Sequence, residues 1–484
     1  MSRNRCERGT PHASVSCHSA GICGVVCQFC SALLERRVIR DVNPQSSRHG
    51  DFHMEKRGDM NTLRQLRNFW IPCVTTIVLA CASTAFAQQS YKITDLGLNK
   101  STDNFSMVMG LNNLGWAENM DGVVNPPITS TSTTVASGRA VIGIYGLNID
   151  LGTLGGKNSW TNYGGINDRG EAVGLAETSV PDPDGEDFCG FSTHLTCRPF
   201  LWRDGHIMAL PTLGGNNGQA SAINNRGQIV GISETTVQDS GCSPSKPGKI
   251  ISPVFWEKGE ARPLPTLVGD PDGFVQGIND RGQAVGSSGN CSNIANHAVL
   301  WENDTAFQLP DFGLAGGDAY AINDHGQIVG YVSSPDGTTI FPTVWRDGAR
   351  GAPTNLGILP GDGAAFATGI NNRGQVVGST FNSVGWSHGF IWQDNVLTDL
   401  NTFISKDSNL FIIAASNINE RGQISGMAMV MSGPDEGKIH AILLTPVEGR
   451  IDVSMADVAP TRPKSDLPAN VSKQLLPRFL HFAR

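Results

Sequence analysis

The sequence is poor in charge and has no long apolar run. Charged side chains make up 17% of the 484 residues, against about 25% in ordinary globular proteins. A coiled coil needs alanine, glutamate, lysine and leucine in bulk, so that fold is excluded. The short apolar runs argue against several membrane spans, whereas an apolar content of 39% can build a core and argues against disorder.

Catalytic signatures are also missing. The sequence contains no Gly-x-Ser-x-Gly nucleophile elbow, no His-Glu-x-x-His zinc motif and no phosphate-binding glycine loop. We interpret the scattered His194, His206 and His325 as surface or turn residues. His297, His388 and His440 recur at one repeat position, which favours a repeated packing or hydrogen-bond role. We therefore predict no catalytic residues, no bound metal and no cofactor.

Residues 60–87 have the organisation of a secretory signal peptide. Arg64 and Arg67 precede a short apolar run over 69–82, and Ala-Phe-Ala at 85–87 supplies the small residues of a cleavage site. The run is short for a membrane span. We expect export to the periplasm or the cell exterior, with no transmembrane span after cleavage.

Two alternatives concern the N-terminal region. The segment 78–81 resembles a bacterial lipobox, so a lipid anchor on Cys81 is the alternative to cleavage. Residues 1–59 lie upstream of a signal peptide that has its own Met60, and we interpret them as an over-extended start that is disordered.

The first 87 residues hold 11 of the 36 basic and 6 of the 44 acidic side chains, so residues 88–484 carry a net charge of −13. Such an acidic chain is a poor partner for nucleic acid.

Glycine is abundant, with 57 residues, and much of it belongs to a motif that recurs seven times. The motif reads small residue, Leu or Ile, Asn, two polar residues, Gly and an apolar pair. Its asparagines are Asn112, Asn167, Asn224, Asn279, Asn323, Asn371 and Asn419, and its glycines are Gly115, Gly170, Gly227, Gly282, Gly326, Gly374 and Gly422. Asn bonds its own backbone and Gly accepts positive φ, so each Asn-x-x-Gly predicts a structural hairpin turn. Seven ligand-binding turns are the alternative.

A second motif, a β-rich run that ends in an aromatic residue, precedes each hairpin. It ends at Trp202, Trp256, Trp301, Trp345 and Trp392, with Gly143 in an eroded first copy. Each repeat therefore offers about four short strands, the content of one propeller blade. We predict that the tryptophans pack between blades; an exposed aromatic platform for sugars is the alternative.

The two ends of the repeat array complement each other. Residues 91–97 match the strand that follows the aromatic run, and residues 440–446 match the aromatic run itself. Pairing them would close a circle and hide the free sheet edge. We predict an all-β, seven-bladed β-propeller over residues 88–446, closed by its N- and C-terminal strands, with a β-solenoid as the alternative. Residues 447–484 leave the repeat and are interpreted as a linker and tail.

These submotifs carry a family resemblance. The run His-Ala-Val-Leu-Trp at 297–301, Leu-Gly-Thr-Leu-Gly-Gly at 151–156 and the repeated Ile-Asn-x-x-Gly-Gln-x-Val-Gly resemble the HAF repeat family of bacterial extracellular repeat proteins. The resemblance covers about residues 91–446. It implies export and a repeat fold, and it brings no catalytic residues.

The segments between each hairpin and the next aromatic strand are longest in the first three repeats, so we expect them to crowd one sector of one face. All four cysteines beyond the signal peptide fall there. In an oxidising compartment they would form disulfides, and we favour Cys189 with Cys197 and Cys242 with Cys291. The acidic run at 181–187 makes Asp182, Asp184, Glu186 and Asp187 weak calcium candidates, although the spacing is not that of an EF-hand loop.

Three functions are compatible with these observations. We favour an exported, monomeric, non-catalytic scaffold that binds an extracellular ligand, either a glycan or a protein. A lectin-like module is the first alternative. A propeller enzyme acting on polysaccharide is the second, because a fold alone does not exclude catalysis. The enzyme hypothesis requires clustered carboxylates in the central funnel.

Overall fold

The computed structural model describes residues 90–125, 134–144, 146–239, 248–290, 297–314, 316–334, 339–381 and 387–447. These residues form 28 β-strands, which make seven four-stranded antiparallel blades. The predicted signal peptide, residues 1–59, Cys81, Cys242, Cys291 and the tail beyond Val447 lie outside the described residues.

Blades 1 to 3 follow one another along the chain. Blade 1 contains β2 (Phe105–Leu111), β3 (Ala117–Asn125), β4 (Thr134–Ile144) and β5 (Leu147–Asp150). Blade 2 contains β6 (Gly155–Ile166), β7 (Ala172–Pro181), β8 (Leu195–Arg203) and β9 (His206–Ala209). Blade 3 contains β10 (Gly214–Ile223), β11 (Ile229–Asp239), β12 (Gly248–Glu257) and β13 (Glu260–Pro263).

Blades 4 to 6 repeat the arrangement with shorter strands. Blade 4 contains β14 (Asp272–Ile278), β15 (Ala284–Gly289), β16 (His297–Glu302) and β17 (Thr305–Gln308). Blade 5 contains β18 (Gly317–Ile322), β19 (Ile328–Ser333), β20 (Ile340–Trp345) and β21 (Thr354–Asn355). Blade 6 contains β22 (Ala364–Ile370), β23 (Val376–Phe381), β24 (Ser387–Gln393) and β25 (Val396–Asp399).

Blade 7 is built from both ends of the repeat array. Its first three strands are β26 (Leu410–Ile418), β27 (Ile424–Val430) and β28 (Ile439–Val447), and its outer strand is β1 (Ser90–Gly97). β1 pairs antiparallel with β28 from Ser90 opposite Val447 to Gly97 opposite Ala441. The predicted propeller and its closure by N- and C-terminal strands are confirmed, and the solenoid alternative is wrong.

A glycine in the second strand lets the strands of six blades approach closely. It lies seven residues after the turn asparagine, as Gly174, Gly231, Gly286, Gly330, Gly378 and Gly426. A Cβ on Gly378 would lie 2.0 Å from the carbonyl oxygen of Phe366 on the neighbouring inner strand, so only glycine fits. Part of the glycine excess is therefore needed inside the blades as well as in the turns.

The core lies between adjacent blades. Trp256 of blade 3 is 1% exposed and packs in one cluster with Val173 and Leu201 of blade 2. Trp256, Trp301 and Trp345 also donate their indole N–H to a carbonyl of the preceding blade, at 2.6 to 2.8 Å. The predicted packing of tryptophans between blades is confirmed. The sugar-platform alternative is wrong for these rings because they are buried.

Candidate functional site

The antiparallel order of the strands gives the propeller two different faces. The seven Asn-x-x-Gly turns between the first and second strands lie on one face, called here the turn face. The connections between the second and third strands leave from the opposite face, called here the loop face. The innermost strand of each blade therefore runs from the loop face to the turn face along the central axis.

The turn asparagines form a closed ring on the turn face. The side-chain Nδ2 of each donates to the main-chain carbonyl of the next blade's asparagine, at 2.9 to 3.1 Å in all seven blades. The seventh bond runs from Asn419 back to Asn112 and joins blade 7 to blade 1. Each glycine of the motif has a φ of 75 to 83°, where a side chain would be strained. The asparagine amides thus join neighbouring blades by hydrogen bonds.

A second ring lies directly beside the first. It consists of Asn113, Asp168, Asn225, Asp280, Asp324, Asn372 and Glu420, one from each turn. A side-chain oxygen of each accepts the main-chain N–H of its counterpart in the preceding blade, at 2.7 to 2.9 Å. The enzyme hypothesis required carboxylates at the axis, and four are present here. They act as hydrogen-bond acceptors that join neighbouring blades.

At some junctions, an arginine that follows a ring residue extends to the next blade. Arg169 donates to the carbonyl of Asn225 at 2.5 Å, and its guanidinium also pairs with Glu171. Although burial opposes it, hydrogen bonds from Arg169 and Asn167 lower the pKa of Glu171. Arg169 thus stabilises the junction between the turns of blades 2 and 3.

The recurring histidines make local hydrogen bonds. His388 Nδ1 lies 3.0 Å from the carboxylate of Asp362, and His297 Nδ1 lies 3.2 Å from Gln308. His440 Nδ1 lies 3.0 Å from Asp95 of β1, so it links the last strand of the array to the first. The predicted hydrogen-bond role of this repeat position agrees with the structure.

Hydrogen bonds within the acidic loop of blade 2, and one from Asn217 of blade 3, hold this loop in place. Asp182 accepts N–H groups of Asp184 and Glu186 and the amide of Asn217, at 2.8 to 3.2 Å, and Asp187 accepts the N–H of Ser192. Burial, together with the nearby Glu234 carboxylate, raises the pKa of Glu186 to about 8. Within the described ranges, no group of three or more His, Cys, Asp or Glu side chains is arranged to hold a metal ion.

A disulfide closes this loop. Cys189 and Cys197 are bonded, with their Cα atoms 5.9 Å apart, as predicted, although Cys197 lies in β8 and not in the loop itself. Phe191 of the loop packs against Trp160 of β6 with ring centroids 6.2 Å apart. The bridge therefore holds the loop against the inner strand of blade 2.

The loop face contains an apolar cavity of about 310 Å³ beside the axis. The inner strands of four consecutive blades contribute Tyr320, Phe366, Met107 and Ile413. The full lining also includes Thr368, Ser379, Phe381, Ser387, Ala414, Met427 and Ile439. The four named side chains are half-buried and border space that other side chains leave open.

Aromatic rings form a continuous chain along this cavity. The ring centroids of Tyr331 and Phe366 lie 4.9 Å apart, and those of Phe366 and Phe381 lie 5.6 Å apart, both in edge-on geometry. Asp318 lies opposite Tyr331 in the strand register. Burial raises the pKa of Asp318 to about 7, and burial with the neighbouring Asp318 raises that of Tyr331 to about 12. The cavity thus has an aromatic surface, and its chain of rings continues to Tyr331, which neighbours the buried carboxyl of Asp318.

None of the residues singled out from the sequence lines this cavity. The signal was present but indirect. Phe366 and Met107 lie five residues before the turn asparagine, where blade 3 has Gln219. The sequence therefore shows that some repeats have an apolar residue where another has a polar one. This difference indicates a binding surface only once the structure shows which inner-strand positions face the axis.

No family model matches the sequence, and no curated protein matches it. Solved structures do. A gluconolactonase from Xanthomonas campestris is 13% identical over 52% of this chain and 82% of its own, with a TM-score of 0.30. The β-propeller domain of the Trilobed protease from Pyrococcus furiosus, with an open velcro topology, is 12% identical over 65% and 97%, with a TM-score of 0.36.

A lectin from Aleuria aurantia in complex with Fucα1-6GlcNAc is also similar, at 12% identity over 64% of this chain and 99% of its own, with a TM-score of 0.30. With TM-scores this low, the propeller assignment rests on the strand pairing described above.

Among the described residues, no helix has the length and apolar character needed to cross a bilayer.

Proposed function

We propose that this protein is an exported, non-catalytic β-propeller that binds a small ligand with an apolar or aromatic ring in the loop-face cavity. One observation carries the proposal. Half-buried aromatic and aliphatic side chains from four consecutive blades surround an open volume of about 310 Å³. Apolar cavities of this size with a few polar groups are the usual form of a small-molecule site.

Two further observations support the other parts of the proposal. The Cys189–Cys197 disulfide favours an oxidising compartment, which agrees with export through the predicted signal peptide and with the HAF resemblance. The axial carboxylates on the turn face accept main-chain N–H groups, which favours a structural role over acid–base chemistry.

Binding is tested by titrating the purified protein with the neutral fluorophore N-phenyl-1-naphthylamine. We expect saturable binding, and Phe366→Ala should weaken it about tenfold because the central ring of the aromatic chain is lost. Phe307→Ala is the matched control, since Phe307 is 41% exposed on an outer strand and does not line the cavity. Equal affinities of the two variants would refute the cavity as the site.

Export and the absence of catalysis need separate measurements. Cell fractionation with N-terminal sequencing should recover a chain that begins at residue 88 outside the cytoplasm. A cytoplasmic chain that retains residues 60–87 would refute export. Turnover of a glycan, ester or peptide substrate that a point mutation abolishes would refute the non-catalytic assignment.

Carbohydrate binding is the second candidate function. Thr368, Ser379 and Ser387 place hydroxyl groups beside the aromatic rings of the cavity. Aromatic faces and hydroxyl partners together match a sugar, which has an apolar face and polar edges. A glycan array with the wild-type protein and the Phe366→Ala variant tests this candidate, and an array without any binding would exclude it.

A further inference from the structure

A polar cleft of about 500 Å³ opens on the turn face between blades 5 and 6 and shares no lining residue with the loop-face cavity. His325, Gln327 and Arg346 of blade 5 form one wall, and Asn372, Trp392 and Asn395 of blade 6 form the other. Arg373 and Asp394 add one charge of each sign at the lining. Two features set the cleft apart from the junction between blades 4 and 5.

The first departure concerns the arm that crosses the junction. Arg281 of blade 4 lies with its guanidinium 2.7 Å from the position of a Cβ on Gly326, so it covers the next turn. In blade 5 the same position is His325, whose side chain is shorter. Only Gln327 comes within 4 Å of a Cβ on Gly374. No guanidinium therefore covers the junction between blades 5 and 6, as is also the case at Gly282 and Gly115, where the side chains within 4 Å are those of Gln228 and Gln423.

The second departure concerns a hydrogen bond that other blades make. In blades 3 and 4 the amide of Gln228 or Gln283 donates to Glu257 or Glu302, at 2.9 and 2.6 Å. In blade 6 the amide of Gln375 donates to Gln393 at 2.8 Å. In these blades the acceptor lies in the third strand. It comes directly after the tryptophan that pairs with the first residue of the second strand.

Blade 5 has a donor where these blades have an acceptor. Trp345 pairs with Ile328, so Arg346 occupies the acceptor position opposite Gln327. Gln327 Oε1 accepts from Asn323 at 2.8 Å, which leaves its amide hydrogens facing a guanidinium. Arg346 itself lies over the Trp392 ring, 5.3 Å from its centroid, which holds its position. Two neighbouring donors thus face the cleft with no acceptor among the described residues.

We propose that this cleft binds a monosaccharide-sized carboxylate, with its acid group on Arg346 and Gln327. A carboxylate accepts several hydrogen bonds from such donors, and a guanidinium matches it in shape. The volume exceeds that of a bare carboxylate, and the amide of Asn395 offers a partner for hydroxyl groups of the same ligand.

The experiment is a calorimetric titration of the full chain with glucuronate, with glucose as the neutral control. We expect millimolar affinity for glucuronate and none for glucose. Arg346→Gln recreates the glutamine pair seen in blade 6, and His325→Arg introduces an arm like that of Arg281 in blade 4. Each should weaken glucuronate binding tenfold or more. Arg262→Gln is the matched control because Arg262 pairs with Asp304 on the surface outside the cleft, and it should bind as the wild type does.

Several results would overturn the proposal. One is that glucuronate does not bind at tens of millimolar. The others are that glucose binds equally well, or that both cleft variants still bind glucuronate. Competition by inorganic phosphate at equal affinity would overturn the sugar-acid assignment, since a general anion site would explain it. Thermal unfolding of each variant at the wild-type temperature establishes that a loss of binding is not a loss of fold.

Discussion

Glu118 is a buried acid at a position where five of the six other blades have valine and blade 7 has Ser425. It lies six residues after Asn112, where five other blades have Val173, Val230, Val285, Val329 and Val377, all fully buried. Glu118 is 0% exposed, and neither carboxyl oxygen has a hydrogen-bond partner in the described residues. Burial raises its pKa well above the ordinary value of 4.5. We therefore predict that Glu118→Val stabilises the protein.

The magnitude follows from the two costs of this side chain. A buried polar group without a partner costs about 1–3 kcal/mol, and valine removes it while keeping a similar volume. The second cost depends on pH. The folded pKa is raised, so the folded state holds a proton that the unfolded chain releases above pH 4.5. Stability is therefore lost as the pH rises, by about 1.4 kcal/mol for each pH unit over which only the unfolded carboxyl is ionised.

Urea unfolding at pH 4.5 and pH 7 measures both costs. At pH 7 we expect Glu118→Val to raise the free energy of unfolding by at least about 1–3 kcal/mol. The gain should shrink at pH 4.5. Glu118→Gln is the matched control: it keeps a buried polar group but does not titrate, so it should recover only the pH-dependent part. A destabilised valine variant, or a gain that does not change with pH, would refute the reasoning.

Three other predictions concern the contacts that close and rigidify the ring. Asn371→Ala should lower the free energy of unfolding by about 2–4 kcal/mol, because two main-chain N–H groups lose their acceptor; an unchanged urea midpoint would contradict this. Asp95→Ala should lower thermal stability by about 1 kcal/mol through the lost contact with His440, and a wild-type melting temperature would show that the contact contributes nothing. Replacing Cys189 and Cys197 by serine should cost about 2 kcal/mol and speed proteolysis of the loop between them, which resistance to the protease would disprove.

The architecture could be predicted because its determinants are local and repeated. Asn112 and Gly115 specify one turn by their own backbone chemistry, and the same pair recurs in each blade. The match between residues 91–97 and residues 440–446 predicted the closure that β1 and β28 make. The role of Trp256 between blades also followed, because a large apolar side chain in a half-buried strand needs a neighbouring surface.

The sites could not be predicted in the same way. Phe366, Tyr320 and Met107 are separated by tens of residues in the chain and meet only around the axis. The sequence analysis did not single out Arg346, and it interpreted His325 as a surface or turn residue. Their importance depends on Gln327 and on the position that Arg281 fills at the junction between blades 4 and 5. Only the register between strands brings these residues together.

The sequence by itself therefore determined the number of blades, the turns that separate their strands and the pairing of its two ends. These follow from local backbone preferences and from the alternation of apolar and polar residues. The tertiary structure decided which side chains border the loop-face cavity and which ones line the cleft between blades 5 and 6 on the turn face. Those features depend on contacts between residues of different blades, and the arrangement of the blades around the axis sets such contacts.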